Sequence, residues 1–495
     1  MQLDKLLKNL KYPEALYAWP SAQRNLDEIT VSGICIDSRD VQPGYLFIAV
    51  PGLKDDGAKY ISEAIDKGAD VIATSSDNIE KYGAEHPNIC FIEVSNLRKF
   101  TAYAAKNYYV GQPKVNAAIT GTNGKTSVAD FTRQIWEKIG YPCASLGTLG
   151  LKSKLINKEK YLTTPDAVYL HKLLSEMETT GITHFIMEAS SHGIEQHRLD
   201  GLDLNIAAFT NISSEHLDYH KTMEKYFEAK LSLFTHLLPF KGTCVLNADI
   251  PEFKKMKTAC EPRKVISYGK KGYDLILKKI TPTSHGQHLV LGVFGQDYDI
   301  TFPLFGTFQV YNALCALGIV IASDIKVQDR AVSALESLVG IPGRLELIGK
   351  TPQGASVFID YAHTEDAMKN LLESLRPHTK GNLNILFGGG GNRDPNTRKP
   401  RGVICKELAD KVYITDDNPR DEDPEIIRNQ ILEGCPEADV IPDRDKGIKK
   451  AVKSLKPNDI LVVAGKGPEE GQIIKGKTLP FSDKQSILDA IKELT

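Results

Sequence analysis

Val115-Asn116-Ala117-Ala118-Ile119-Thr120 runs straight into Gly121-Thr122-Asn123-Gly124-Lys125-Thr126-Ser127, and a helix-like stretch follows from Ser127 to Lys138. Apolar strand, glycine-rich turn, Gly-Lys-Thr and helix together make a cradle for phosphate. Gly121 and Gly124 let backbone N–H groups turn toward an anion. The helix N-terminus adds partial positive charge. Lys125 has the reach for the β- and γ-phosphates of a nucleotide, and the Thr126 hydroxyl can hold Mg²⁺. The loop is shorter than the general G-x-x-x-x-G-K-[ST] pattern. A glycine turn carrying a solvated lysine is the bland alternative, and the flanking strand and helix weigh against it.

Around this loop the chain has 495 residues, too many for one ordinary core, so roughly two to four domains are expected. Hydrophobic content of 41% and charged content of 25% are ordinary for a soluble globular protein. A net charge of −2 argues against a nucleic-acid partner, which leaves a basic excess. No apolar run approaches the roughly 20 residues of a membrane helix, so no membrane insertion is expected. Met1 to Lys11 alternates charged and apolar residues and lacks the apolar stretch of a signal peptide. The eight cysteines are scattered and form no C-x-x-C pair, which suggests neither a zinc cluster nor a disulfide framework. A reducing cytoplasm fits best.

Three blocks are expected: 1–100, 101–342 and 343–495. In the first, short strand-like runs (Gly33 to Asp37, Leu46 to Val50, Val71 to Ala73, Cys90 to Val94) alternate with helix-like stretches such as Ala58 to Lys67. The second adds strand candidates at Thr183 to Met187, Ala207 to Thr210 and Thr243 to Leu246, so its sheet should be mostly parallel. Leu275 to Ile300 alternates differently and suggests an antiparallel excursion. In the third, the runs Val357 to Ile359, Asn384 to Phe387, Lys411 to Ile414, Asp439 to Ile441 and Ile460 to Val463 are separated by helix-like segments. That is a doubly wound pattern, in which ligands gather beyond the C-terminal ends of strands. Asp360 to His363, Gly388 to Asp394, Asp416 to Arg420 and Gly465-Lys466-Gly467 all stand at such ends. The fold class is α/β, with a P-loop ATPase-like parallel sheet in the centre and a Rossmann-like C-terminal domain.

Glu188 ends the strand Thr183 to Met187 and is a candidate for Mg²⁺, a hard cation that prefers oxygen. A solvated strand-terminal Glu is the alternative. His216, in a polar and aromatic loop after another strand, is a second metal candidate or a loop-capping histidine. Lys230 lies in the amphipathic helix Tyr226 to Phe234, and by pattern alone it is a solvated lysine. Thr163-Thr164-Pro165 reads either as a phosphate or sugar contact at a helix start or as a plain N-cap. Asp417-Asn418-Pro419-Arg420 offers acceptor, amide and guanidinium in four residues, a set suited to a zwitterion. An ordinary Asn-Pro turn is its alternative.

Gly121 to Thr126, Met187-Glu188 with Ser190-Ser191-His192, His216-Leu217-Asp218-Tyr219-His220, Lys230, Asn312, Gly343-Arg344 and Asp360 to His363 together resemble the Mur ligases. These are ATP-dependent amide-bond synthetases of peptidoglycan assembly, and the resemblance spans essentially the whole chain. Asp37-Ser38-Arg39, Thr163 to Pro165, Ser190 to Arg198 and Asp417 to Arg420 look most like the member that adds the third amino acid.

The resemblance implies roles. Ile36 and Ser38 would contact a uridine nucleotide, and Thr163, Thr164, Ser190, Gln196 and Arg198 would hold a UDP-muramoyl-dipeptide. Gly121, Thr122, Asn123, Gly124, Lys125, Thr126, Ser127, Gln309, Asn312, Arg344 and Asp360 would bind ATP. Lys125, Glu188, His216 and Lys230 would be catalytic. Thr126, Glu188, His216 and a carbamylated Lys230 would surround magnesium. Arg393, Asp417, Asn418, Arg420, Gly465 and Glu469 would bind the incoming amino acid. In this family D-N-P-R accompanies meso-diaminopimelate, whose distal carboxylate an arginine can pair; L-lysine in the same reaction is the alternative. A cytoplasmic monomer is expected.

The chain departs from the family pattern at four places. Ser214-Glu215 replaces Arg-Asp, Leu53-Lys54-Asp55 replaces a more polar stretch, Asn392 replaces Asp and Pro468 replaces His. Ile341 to Arg344 is the expected hinge.

Overall fold

The computed structural model describes residues 1–8, 10, 17–19, 25–52, 55–159, 162–283 and 285–494. The chain divides into two compact units. One comprises Met1–Ile276 and Ala313–Ala334; the other comprises Leu277–Asn312 and Leu335–Thr495. The expected hinge at 341–344 therefore lies inside the second unit, beyond the crossing at Ala334–Leu335.

The first unit holds two sheets. Strands β1 (Tyr17–Trp19), β2 (Gly33–Cys35), β3 (Tyr45–Ile48), β4 (Ala69–Thr74) and β5 (Cys90–Glu93) lie in the order β1-β5-β4-β3-β2. All neighbours are parallel except β1, which runs antiparallel to β5. Helix α1 (Leu97–Tyr108) follows, with Phe100, Ala102, Ala104 and Ala105 buried.

The next strands are β6 (Val115–Thr120), β7 (Cys143–Gly147), β8 (Gly150–Ser153), β9 (His184–Glu188), β10 (Ile206–Phe209), β11 (Thr243–Asn247) and β12 (Lys264–Gly269). Their order is β12-β11-β10-β6-β9-β7-β8, parallel except for β8 on β7. Ala117, Ala118, Ile119, Phe185, Ile186 and Met187 are buried, as strands covered on both faces require. β6 is central, with β9 on one side and β10 on the other. The C-terminal ends of these three strands carry Gly121, Glu188 and Thr210, at the point where parallel sheets bind ligands.

Helix α2 (Lys125–Ile139) buries Val128, Phe131, Ile135 and Trp136, an i, i+3, i+7, i+8 stripe, and the Trp136 indole N–H donates to Ser323 Oγ. Gly140, at φ 96°, ends it. Helices α3 (Ala167–Thr179), α4 (Ser191–Glu195) and α5 (Met223–Ser232) complete the surroundings of the site.

β13 (Leu275–Thr283) begins in the first unit and continues into the second. There β14 (Gly286–Val293) and β15 (Gln296–Phe302) form an antiparallel hairpin, the excursion expected from the changed periodicity. The C-terminal strands are β16 (Glu346–Lys350), β17 (Ser356–Asp360), β18 (Leu383–Phe387), β19 (Lys411–Ile414), β20 (Asp439–Val440) and β21 (Ile460–Ala464). They lie in the order β16-β17-β21-β18-β19-β20, with only β16 antiparallel. A small hairpin follows, the half-buried β22 (Gly471–Ile474) with the exposed β23 (Lys477–Pro480). It had no sequence signal of its own.

Candidate active site

The phosphate loop is held by the chain that leaves β10. Gly121 takes φ 145°, and a Cβ there would sit 1.9 Å from Thr210 Oγ1, so no other residue fits. Thr122 N–H donates to Asn211 O (2.9 Å), Asn123 N–H to Asn211 Oδ1 (2.9 Å), and Thr210 Oγ1 to Asn123 O (2.6 Å). Lys125 Nζ donates to the carbonyls of Gly121 (2.8 Å) and Thr122 (2.7 Å).

Lys230, on α5, is not the solvated lysine its helix pattern suggests. It is 1% exposed, and its Nζ donates to Gly121 O at 2.9 Å and lies 4.4 Å from the Tyr226 ring centre. Burial, then repulsion from Lys125, push its pKa down to about 6, with Glu215 pulling the other way. At neutral pH most of the amine is therefore uncharged. Tyr226 is a neighbour that sequence reasoning missed; burial pushes its phenol up to about 12, and its OH lies 3.2 Å from Thr122 Oγ1.

Glu188 ends β9 as a buried carboxylate. Thr148 N–H donates to Oε1 (2.7 Å), while Thr126 Oγ1 (3.1 Å) and Thr148 Oγ1 (3.4 Å) donate to Oε2. Burial raises its pKa, with Lys125 and these hydrogen bonds opposing. At Gly147 a Cβ would stand 2.1 Å from Oε1, so the cradle is built to the carboxylate. Among the described residues no group of three His, Cys, Asp or Glu side chains is arranged for a metal. The oxygen pair of Glu188 and Thr126 beside a phosphate loop nonetheless fits a hard divalent cation. His216 takes its contacts elsewhere. It is exposed in a left-handed conformation (φ 57°), edge-on to His192 at 4.9 Å.

The residues implied for the UDP-muramoyl-dipeptide gather on the same strand end. Thr164 Oγ1 donates to Glu188 O (2.8 Å) and accepts from Ser190 N–H (3.0 Å). Ser190 caps α4 through Gly193 N–H (3.0 Å). Arg198 donates to Thr164 O (2.7 Å) and Gln196 Oε1 (2.8 Å), and Thr163 Oγ1 lies 3.3 Å from Thr148 Oγ1. The helix α3 is capped by Asp166, so Thr163 and Thr164 are not its N-cap. In the first sheet, Ile36 is half-buried and Ser38 is buried, with Oγ donating to Glu63 Oε2 (2.9 Å). Leu53 and Lys54 lie outside the described residues.

In the second unit, Asp360 ends β17 and accepts Leu345 N–H (2.6 Å) and Ala362 N–H (2.7 Å). Burial raises its pKa, opposed first by Arg344, whose guanidinium lies over the Tyr361 ring at 4.8 Å. Asn312 donates to Gln309 Oε1 (3.0 Å), and both are buried.

The loop after β19 is locked in place. Arg420 sits at φ 52°, with its N–H on Ile473 O (3.0 Å) and its carbonyl accepting Lys475 N–H (2.7 Å). Its Nη1 donates to Gly391 O (2.9 Å). Arg420 is half-buried and already partnered, so a ligand without a distal carboxylate costs less here than a fully buried arginine would impose. Arg393 is exposed. Gly465 (φ 110°) lets Asp417 pass close; a Cβ there would lie 2.5 Å from Asp417 Oδ2. Glu469 Oε2 accepts from Asn418 Nδ2 (2.9 Å) and from Lys466 Nζ (3.0 Å). The sequence names Lys466 only within the motif Gly465-Lys466-Gly467 and gives it no role. Thr148 and Gln472, whose Nε2 donates to Asp417 O (2.7 Å), carried no signal.

Three family models match in turn: the Mur ligase family catalytic domain over residues 30–109, the Mur ligase middle domain over 119–320 and the Mur ligase glutamate ligase domain over 343–467. The chain belongs to the Mur ligase family. Relatives of this Mur ligase include the UDP-N-acetylmuramoyl-L-alanyl-D-glutamate–2,6-diaminopimelate ligases of Chelativorans sp. (45% identical, 94% of this chain and 96% of that one) and Rhizobium meliloti (45%, 95% and 96%). A solved ligase of the same name superposes with TM-score 0.76 at 29% identity, over 100% of this chain and 99% of that one. MurF of Acinetobacter baumannii shares the fold, with TM-score 0.62 at 17% identity over 93% and 94%. The family resemblance read from the motifs is borne out, and so is the α/β fold class. None of the described helices of this Mur ligase is long and apolar enough to cross a membrane.

Proposed function

We propose that this Mur ligase adds meso-2,6-diaminopimelate to UDP-N-acetylmuramoyl-L-alanyl-D-glutamate at the expense of ATP, as a monomer in the cytoplasm, with blocks 1–100, 101–342 and 343–495 taking UDP, ATP and amino acid. The Asp417-Asn418-Pro419-Arg420 loop carries the choice of amino acid. It supports the reading because acid, amide and guanidinium stand together at one strand end, beside Lys466 and Glu469. The names of the 45% identical relatives support it as well.

The D-glutamate γ-carboxylate oxygen attacks the γ-phosphorus of ATP, and the bond to ADP breaks. The amine of the third amino acid then attacks the acyl carbon, and phosphate leaves. Lys125 and the α2 N-terminus hold the phosphates and offset charge developing on them. Thr164, Ser190 and Arg198 hold the dipeptide against Glu188. The uncharged Lys230 amine has the lone pair that CO₂ requires, and losing a proton to water leaves a carbamate on Nζ. Thr126, Glu188 and carbamylated Lys230 would hold Mg²⁺, which would supply charge neutralisation for phosphoryl transfer.

Phosphate release with UDP-muramoyl-dipeptide, ATP and each candidate amino acid tests the proposal. Release with meso-diaminopimelate and little with L-lysine is expected. Equal release with both, or release independent of amino acid, overturns it. Oxygen-18 placed in the glutamate γ-carboxylate should appear in phosphate; its absence there rules out the acyl phosphate.

A further inference from the structure

Lys466 is fully buried, with a side-chain exposure of 0%. Its ammonium has three partners: Glu469 Oε2 (3.0 Å), Asn418 Oδ1 (3.0 Å) and, more distantly, Asp417 Oδ1 (3.9 Å). Each partner belongs to the amino-acid set. Asn418 Oδ1 also accepts Ile473 N–H (2.9 Å), so two donors fix which way the amide faces. Its Nδ2 therefore points to Glu469 Oε2 with one N–H, and the second N–H is left for another acceptor. On Glu469, Oε2 takes both internal bonds, which leaves Oε1 for a cation. The side chain is 37% exposed, enough to meet one.

The geometry points to Lys466 as a positioning residue of the amino-acid site. It does not touch the ligand. It sets the Asn418 amide to donate toward a carboxylate and the Glu469 carboxylate to receive an ammonium, side by side. That pairing matches the head of an α-amino acid, where both groups stand on one carbon. A buried charge without its partner is costly, so removing Lys466 should free Glu469 to rotate out to water and leave the Asn418 amide held by Ile473 N–H alone. The inference rests on the proposed amino-acid site and names the residue that organises it.

The test is a cycle of Lys466→Met, Glu469→Gln and the double variant in the full chain, with a KM measured for each of the three substrates. The amino acid used is whichever one the unaltered enzyme prefers, so an error about meso-diaminopimelate shows in the unaltered enzyme and not in the cycle. Lys466→Met should raise the amino-acid KM roughly 30-fold, with the other two KM values within about threefold. Glu469→Gln should also raise it, and the double variant should fall well short of the product of the two single effects, because Lys466 acts in part through Glu469. Equal changes in all three KM values, an unchanged amino-acid KM, or fully additive effects overturn the inference. If Lys466→Met does not fold, the charge-balanced double variant is read in its place. Failure of that variant to fold makes Lys466 a folding residue and also overturns the inference.

Discussion

The phosphate loop and the amino-acid loop solve the same problem by opposite means. The first is built from contiguous backbone: two glycines, one strand end, one helix start, clamped by Thr210 and Asn211. The second is built from side chains that meet across 48 to 51 residues of sequence, with Lys466 and Glu469 on Asn418. A backbone cradle suits phosphate, which every nucleotide presents alike. A side-chain network suits the variable partner, because single substitutions retune it.

Substitutions should break the two regions differently. Lys125→Ala should abolish charge neutralisation at the phosphates and lower kcat by about 10³-fold, while amino-acid preference among residual turnovers stays the same. Lys230→Met should cost about 10²- to 10³-fold in kcat. It should also flatten stability against pH. The Lys230 folded-state pKa, about 6, lies below its usual value, so between there and about 10.5 the unfolded chain binds the extra proton, and stability rises with pH. Thermal melts from pH 6 to 9 should therefore rise less steeply in the variant. An equal slope in both proteins would contradict the buried, uncharged amine.

Gly147→Ala should displace the Glu188 carboxylate and lower kcat about 10²-fold, with circular dichroism unchanged; near-normal activity would show the cradle to be slack. Arg420→Ala should give the smallest effect, a drop of about 10- to 100-fold in preference for meso-diaminopimelate over L-lysine. Activity with the preferred ATP and UDP-substrate concentrations should otherwise persist. An unchanged preference would move the choice of amino acid away from this loop.

The same contrast explains what was legible in the sequence. Gly121 to Ser127 is a local pattern whose strand, turn and helix are adjacent, so both fold and chemistry could be read from it. Glu188 was legible as a carboxylate at a strand end. Lys230 was legible only through family resemblance, since its burial comes from a carbonyl 109 residues earlier. His216 was readable as a loop histidine, but not the left-handed backbone that turns it to the surface. Lys466 stood in a noted motif, yet nothing local tells a lysine between two glycines that three acceptors wait for it. The hairpin of β22 and β23 is short, with one half-buried and one exposed strand, and gives no periodicity to detect.

That hairpin has a consequence for how the second region opens. The amides of Arg420, Ile473 and Lys475 are bonded crosswise between the recognition loop and the hairpin, so none can exchange with solvent unless the two segments part. These amides should share one opening free energy in hydrogen exchange, distinct from their exposed neighbours, and behave as a single cooperative unit. The arginine proposed to select the amino acid would then be protected or released together with a strand edge more than fifty residues further along the chain.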